Sequence, residues 1–153
     1  IIKNFNVIPS IQDDNSINEK ELNIWIDKAR SLATDCARIE ITDSQIGQLL
    51  ARTPKKKGIC FPKVIYNIIE RINSSSMYDG FRTQIFNSGG VTVRSPYSGG
   101  EIERDKANQF KEVAEKLKIT HPNIAKLYRQ LTNSYERRAK EEDNEALGNV
   151  LEY

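Results

Sequence analysis

Apolar side chains recur at spacings of three and four in five stretches of the chain, which is the pattern of amphipathic helices. The first stretch follows Ser16 and Glu19, a pair with the spacing of an N-terminal capping box. Its apolar positions are Leu22, Trp25, Ile26, Ala29, Leu32, Ala33 and Cys36. We expect this face, Trp25 and Cys36 included, to lie in the core.

Four more stretches predict helices two to five. The second helix begins near Thr42 and the third near Pro62, while the fourth and fifth follow Gly100 and Thr120. Their apolar faces contain Ile46, Leu49 and Leu50, then Ile65, Ile68, Ile69 and Ile72, then Ala107, Phe110, Val113, Ala114 and Leu117, then Ile124, Leu127, Tyr128, Leu131, Tyr135 and Ala139. The pattern predicts a mainly α fold of about five helices.

One segment between helices three and four has a β-type pattern. Residues 81–94 contain two β-prone runs around Asn87-Ser88-Gly89-Gly90, after the turn signal Asp79-Gly80. This pattern predicts a β-hairpin at 81–94 and gives the mainly α fold an α+β character. Because a hairpin after three helices is the order found in winged helices, we expect the first half to be winged-helix-like.

The order of these segments predicts the domain organisation. Residues 1–16, with the breaker Pro9, form a lead-in; residues 17–147 form one helical domain; and residues 148–153 form a C-terminal tail. The chain has 153 residues, which is enough for a single core. Since it starts with isoleucine, we expect it to belong to a longer protein with other domains upstream.

Composition narrows the class of protein. Apolar residues make up 38% and charged residues 29%, so the chain is neither disordered nor membrane-like. It has no apolar run near the roughly 18 residues of a spanning helix and no signal-peptide pattern. Its two cysteines, Cys36 and Cys60, form no CxxC pair, so neither a disulfide framework nor a zinc site is indicated. We expect a cytoplasmic protein.

Catalytic chemistry has few candidate residues. His121 is the only histidine, and its position between Thr120 and Pro122 indicates a role at a helix start. The Gly-rich turn at 98–100 has the form of an anion site, but three carboxylates follow it: Glu101, Glu103 and Asp105. The turn also lacks the Walker A and Rossmann patterns. We therefore expect no enzyme activity, no cofactor and no metal site.

The charge pattern suggests one candidate contact surface. The formal net charge is only +2, but residues 44–69 contain no acidic residue. The candidate contacts for nucleic acid or for an acidic partner are Lys55, Lys56, Lys57, Lys63, Asn67, Arg71, Arg82 and Arg94. Of these, Lys63, Asn67 and Arg71 have the four-residue spacing of one helix face. The alternative is a solvated face, because the net charge is modest and Glu70 adjoins Arg71.

Scattered residues along most of the chain show a resemblance to known sequences. They are Trp25, Ala29-Arg30, Ile46-Gly47-Gln48-Leu49-Leu50, Pro54, Gly58, Pro62, Glu70, Gly80, Asn87, Gly90-Val91, Arg94, Gly99-Gly100, Glu103-Arg104, Pro122, Tyr135 and Asp143. In these residues the chain resembles the C-terminal region of large multidomain bacterial proteins with no assigned activity. The resemblance implies a terminal accessory domain. Related sequences carry arginine at the position of Gly89, which argues against a ligand role for that turn.

Two functional hypotheses follow. The first is a non-enzymatic accessory or interaction domain of a larger cytoplasmic protein, which contacts other domains of the same polypeptide or a protein partner and no membrane. The second is a winged-helix-like module that contacts nucleic acid through the basic residues named above.

Overall fold

The structure is a computed structural model that describes residues 8–55, 60–89 and 99–151. Within these ranges there are six helices: α1 Glu19–Asp35, α2 Ile39–Leu50, α3 Lys63–Ile72, α4 Ser75–Asn87, α5 Glu101–Leu117 and α6 Pro122–Leu151. The mainly α class is confirmed, and the expected count of five was one helix short. The chain divides into two compact units, Ile1–Ser88 and Gly89–Tyr153.

The predicted β-hairpin at 81–94 is wrong. Residues 81–87, its first strand, are the second half of α4, and residues 90–94 lie outside the described part of the chain. Met77, Phe81 and Ile85 are buried at a spacing of four, so they form one face of a helix. The Ser74 hydroxyl caps this helix by accepting a hydrogen bond from the backbone N–H of Met77. A fourth helix therefore follows the third where a winged helix would have its first strand.

A close crossing of α2 and α4 explains why Gly80 is helical and not part of a turn. A Cβ atom on Gly80 would overlap the backbone carbonyl of Ser44 in α2. Reciprocally, a Cβ on Gly47 would overlap the carbonyl oxygen of Met77 and lie 2.8 Å from the backbone nitrogen of Phe81. The two helices pack with their backbones in contact, and only glycine fits at either position.

The long first helix buries a narrower face than its sequence predicts. It starts after Asn18, whose side chain accepts from the backbone N–H of Glu21, and it buries Leu22, Ile26 and Ala33. Three other predicted core positions are more accessible: Trp25, which is half-buried, and Leu32 and Cys36, which are exposed. Each residue turns about 100° around a helix, so an apolar neighbour of a buried position can still face solvent.

An ion pair joins α1 to α2. The Nε and one terminal nitrogen of Arg30 donate to the two carboxylate oxygens of Asp43, at 2.8 and 3.2 Å. Asp43 is only 2% exposed, whereas the side chain of Arg30 is partly accessible. The connecting turn places Ala37 in the left-handed region with φ of 54°, and the N–H of Arg38 bonds to the carbonyl of Ala33 at 2.8 Å. This is the hydrogen-bond pattern of a Schellman helix end.

The second unit contains an antiparallel pair of helices, α5 and α6. Between them, the Phe110 ring packs against Tyr128 and Tyr135, with centroids 5.9 and 5.4 Å apart. α6 continues through Gly148 to Leu151, so the boundary expected at residue 148 falls within this helix. In the described part of the chain, no helix combines the length and the apolar character needed to span a membrane.

The N-terminus of α5 is held by a carboxylate from α6. Oδ1 of Asp143 accepts from the backbone N–H of Gly100 at 2.9 Å, and Oδ2 accepts from Arg104 at 2.7 Å. Gly100 lies against the backbone of Ala139 too closely to carry a Cβ. Hydrogen bonds from Arg104 and Gly100 hold the pKa of Asp143 below its usual value. α5 thus has no side-chain cap of its own at Gly100 and takes its capping carboxylate from α6.

Gly80→Ala tests the helix crossing. We expect it to destabilise the chain by about 3 kcal/mol or more, because a methyl group would force two helix backbones apart. The matched control is Gly148→Ala, a helical glycine with nothing within 4 Å of its Cβ position. That control should be neutral or stabilising by about 0.5–1 kcal/mol. Denaturant unfolding followed by circular dichroism measures both, and equal effects would contradict the crossing.

Asp143→Asn tests the contact between α6 and the start of α5. Because the pKa of Asp143 is lowered on folding, its contribution is present above its unfolded pKa and is lost as pH falls through the folded value. We expect the variant to melt at a lower temperature than wild type at neutral pH, and the difference to shrink below about pH 4. Glu141→Gln, an exposed position on the same helix, is the control. A melting difference that is independent of pH would argue against the charge pairing.

Candidate interaction surfaces

The polar face predicted on the third helix is present on α3, but its most C-terminal residue, Arg71, already bonds to α1. One terminal nitrogen of Arg71 donates to Asn23 at 2.8 Å and to Asp27 at 3.0 Å, both on α1. Lys63, the first residue of the helix, is exposed, and Asn67 is half-buried. The Asp27 carboxylate neutralises much of the charge that Arg71 could offer to a phosphate.

The remaining predicted basic residues do not form one described surface. Arg82 lies on α4 and pairs with Asp79 of the same helix at 2.9 Å. The Lys55 ammonium lies 5.4 Å from the centre of the Phe61 ring, and desolvation lowers the pKa of Lys55. Three others, Lys56, Lys57 and Arg94, lie outside the described residues. In the described part of the chain, the basic surface is therefore smaller than the one that the sequence predicts.

The N-terminus of α3 has features that favour an anion. Its N-cap, Pro62, supplies no side-chain acceptor, and the first turn contains no acidic residue. The unpaired N–H groups of a helix start attract negative charge, and Lys63 adds a full positive charge at this end. Earlier in the chain, the buried Thr53 hydroxyl has no hydrogen-bond partner among the described residues.

The residues considered for catalysis, His121 and Cys60, have surroundings that fit a role in the fold. His121 is 5% exposed, its Nδ1 lies 2.9 Å from the Thr120 hydroxyl, and its carbonyl accepts from the N–H of Ala125 in the first turn of α6. Cys60 is half-buried. In the part of the chain that the structure describes, no three His, Cys, Asp or Glu side chains come together as metal ligands.

Among the described residues of the first unit, three large aliphatic side chains face solvent. Ile24 and Leu32 on α1 are 58% and 59% exposed, and Ile41 on α2 is 62% exposed. Leu32 lies two residues beyond Arg30, and Ile41 two residues before Asp43, so each lies on roughly the opposite side of its helix from the ion pair. The sequence analysis did not predict that Ile24 and Ile41 are exposed. Both lie outside the predicted apolar faces of their helices, and that position could have indicated their exposure.

The second unit also exposes aliphatic residues, one near each end. Ile119, in the turn between α5 and α6, is 85% exposed, and Leu147, which lies on α6 beyond the start of α5, is 62% exposed. An open cleft of about 390 Å³ lies between the helices, with these lining residues: Arg104, Ala107, Asn108, Glu136, Ala139 and Lys140. Arg104 already binds Asp143 there, and charges of both signs face the opening, so the cleft selects no ligand class.

A functional argument for this chain rests on these surfaces, because comparison with known proteins gives no match. No protein-family model, curated protein or solved structure matches the chain.

Proposed function

We propose that the chain is a non-enzymatic accessory domain of a larger cytoplasmic protein and that it binds a protein partner or another domain of the same polypeptide. The observation that carries the proposal is the exposure of Ile24, Leu32 and Ile41 on the outer sides of two neighbouring helices. Burying a fully exposed side chain of this size contributes about 1.5–3 kcal/mol. These three are 58–62% exposed, so covering each contributes roughly half of that, and covering all three about 3 kcal/mol or more.

The contacts that hold α1 against α2 support the proposal, because these two helices carry the exposed side chains. Asp43 is buried and bonded twice by Arg30, and the α1–α2 turn has its carbonyl groups satisfied by the N–H of Arg38 and Ala37. Leu32 and Ile41 are therefore held on helices whose relative position is fixed before binding. A surface that is already ordered loses less conformational entropy when a partner binds, which raises the affinity for a given buried area.

Leu32→Ser and Ile41→Ser test this surface. We expect each to weaken partner binding by about tenfold or more, because each removes a buried aliphatic side chain from the interface. Ser31→Ala, at an exposed position beside Leu32, is the control and should bind like wild type. Partners are captured on the immobilised chain and identified, and the affinity of each purified partner is then measured by calorimetry. Unchanged affinity in both serine variants, or turnover in a broad hydrolase and nucleotide screen, would contradict the proposal.

Nucleic-acid contact is the second candidate, favoured by the N-terminus of α3, to which its N-cap Pro62 gives no side-chain acceptor. Its first turn lacks acidic residues, and Lys63 is exposed there. The predicted contacts at Lys56, Lys57 and Arg94 extend the same proposal beyond the described residues. The paired residues Arg71 and Arg82 contribute less, because binding a phosphate would first require breaking their bonds to carboxylates.

Lys55→Glu and Lys63→Glu test this candidate. If the chain binds nucleic acid here, both variants weaken the complex and lower the dependence of the affinity on salt by about one counterion for each phosphate that is no longer neutralised. Lys28→Glu changes the same charge on the exposed side of α1 and serves as the control. The measurement is fluorescence anisotropy with labelled single- and double-stranded oligonucleotides at several salt concentrations. No complex at low salt, or an equally weakened complex in all three variants, would exclude a site at α3.

A further inference from the structure

We infer that copies of this chain associate head to tail through the second unit, with the basic turn around Ile119 of one copy bound to the acidic end of α6 around Leu147 of the next. This inference deepens the proposed interaction role by naming a partner, and it uses a different surface from the one that contains Leu32. Its three supports are an exposed apolar residue at each end, opposite charges at the two ends, and the charge order along α6.

The first support is the exposed apolar residue at each end of the unit. One of them lies where α6 extends beyond α5. The start of α5 lies against Ala139 and Asp143, so the α6 residues that follow have no α5 beside them. Tyr135 and Ala139 are buried on the face that points toward α5, and Leu147 lies on the same ridge two turns beyond Ala139. The core-facing side of α6 thus continues past its partner helix, and there Leu147 is 62% exposed.

At the other end of the unit, the turn between α5 and α6 presents Ile119 to solvent. Ile119 is 85% exposed and is the most exposed of the large apolar side chains that the structure describes. It projects from a turn of four residues, 118–121, between the end of α5 and the start of α6. The far end of α6 offers one exposed aliphatic side chain, Leu147, against which a projecting isoleucine of a second copy would pack.

The charges at the two ends are opposite. Residues 115–129, around the turn, contain four cations and one carboxylate, and that carboxylate, Glu115, already pairs with Lys118 at 2.8 Å. Lys116 and Lys126 are exposed nearby. Residues 141–147 contain four carboxylates and no cation; Asp143 already pairs with Arg104, whereas Glu141 and Glu145 are exposed. Complementary ends of this kind attract and orient two copies.

The order of charges along α6 is unfavourable in a single copy. A helix has its positive end at the N-terminus and is stabilised by acidic residues there and by basic residues at the C-terminus. In α6 the first turn has no acidic residue and the last turn no basic residue, while Lys126 lies near the start and Glu145 near the end. Contact with a second copy would bring carboxylates to the positive end and lysines to the negative end. Such conflicts with a local rule are expected where a surface has a binding role.

Sedimentation velocity of the whole 153-residue chain tests the inference. We expect the average mass to rise with protein concentration at low salt, to continue rising beyond the dimer, and to fall as salt is added. Ile119→Ser and Leu147→Ser should each weaken association by about tenfold or more. Ile41→Ser, an equally drastic change at an exposed position in the first unit, should leave it unchanged.

A charge exchange identifies the two surfaces as partners. One variant combines Lys116→Glu with Lys126→Glu, and the other combines Glu141→Lys with Glu145→Lys. Each should be monomeric alone, and their mixture should form a complex, because the reversed turn of one chain fits the reversed α6 end of the other. Both variants should fold, since the three changes on α6 bring its charges into the favourable order and Lys116→Glu alters one exposed residue in the last turn of α5. Circular dichroism checks this.

The results separate this inference from the proposed function. A wild-type chain that stays monomeric at low salt, or a mixture of the two charge variants that stays monomeric, would overturn head-to-tail association. Neither result would affect binding of a different partner through Leu32 and Ile41. Conversely, association that survives Leu32→Ser and is abolished in Ile119→Ser supports the inference, whatever the result for the partner surface.

Discussion

The first unit depends on two helices whose backbones touch. Where α2 crosses α4, Gly47 and Gly80 face each other's helices, and neither position has room for a methyl group. This contact brings Ile46, Leu50 and Phe81 close enough to share one fully buried interior. Protein interiors are packed nearly as densely as organic crystals, so separating the helices by one carbon atom would leave voids along the whole contact.

The second unit uses polar atoms for a similar purpose. Gly100 allows the start of α5 to reach the backbone of α6, and Asp143 then binds both Gly100 and Arg104. The two units therefore share one device, a glycine that brings a helix against another backbone. They differ in the supporting contact, which is apolar in the first unit and charged in the second. The charged contact is more sensitive to acid, because it requires an ionised carboxylate.

The local sequence predicts most helices and fails where distant residues decide the structure. α1, α2, α3, α5 and α6 follow from apolar spacing, because each buries several apolar residues on one face, although that face is narrower than expected in α1. α4 was missed because Phe81, Thr83 and Ile85 favour strands in isolation and Gly80 resembles a turn residue. Only the crossing with α2 shows why a helix would contain that glycine.

The candidate surfaces also depend on distant residues, which the local sequence does not reveal. The shared face of Lys63, Asn67 and Arg71 could be predicted from spacing, and the partners of Arg71 on α1 could not. The exposure of Leu32 was hidden for the same reason, since burial depends on which helix lies opposite. The role of Asp143 needed coordinates, because the residues it binds lie about forty positions earlier in the chain.

Each unit contains a residue type that the other lacks. Trp25, the only tryptophan, lies half-buried in the first unit, and His121, the only histidine, is buried at the start of α6. Indole fluorescence therefore reports on the first unit and the imidazole proton resonances on the second, without any label. Heating one sample and following both signals would reveal whether the units lose their structure in a single cooperative step or independently.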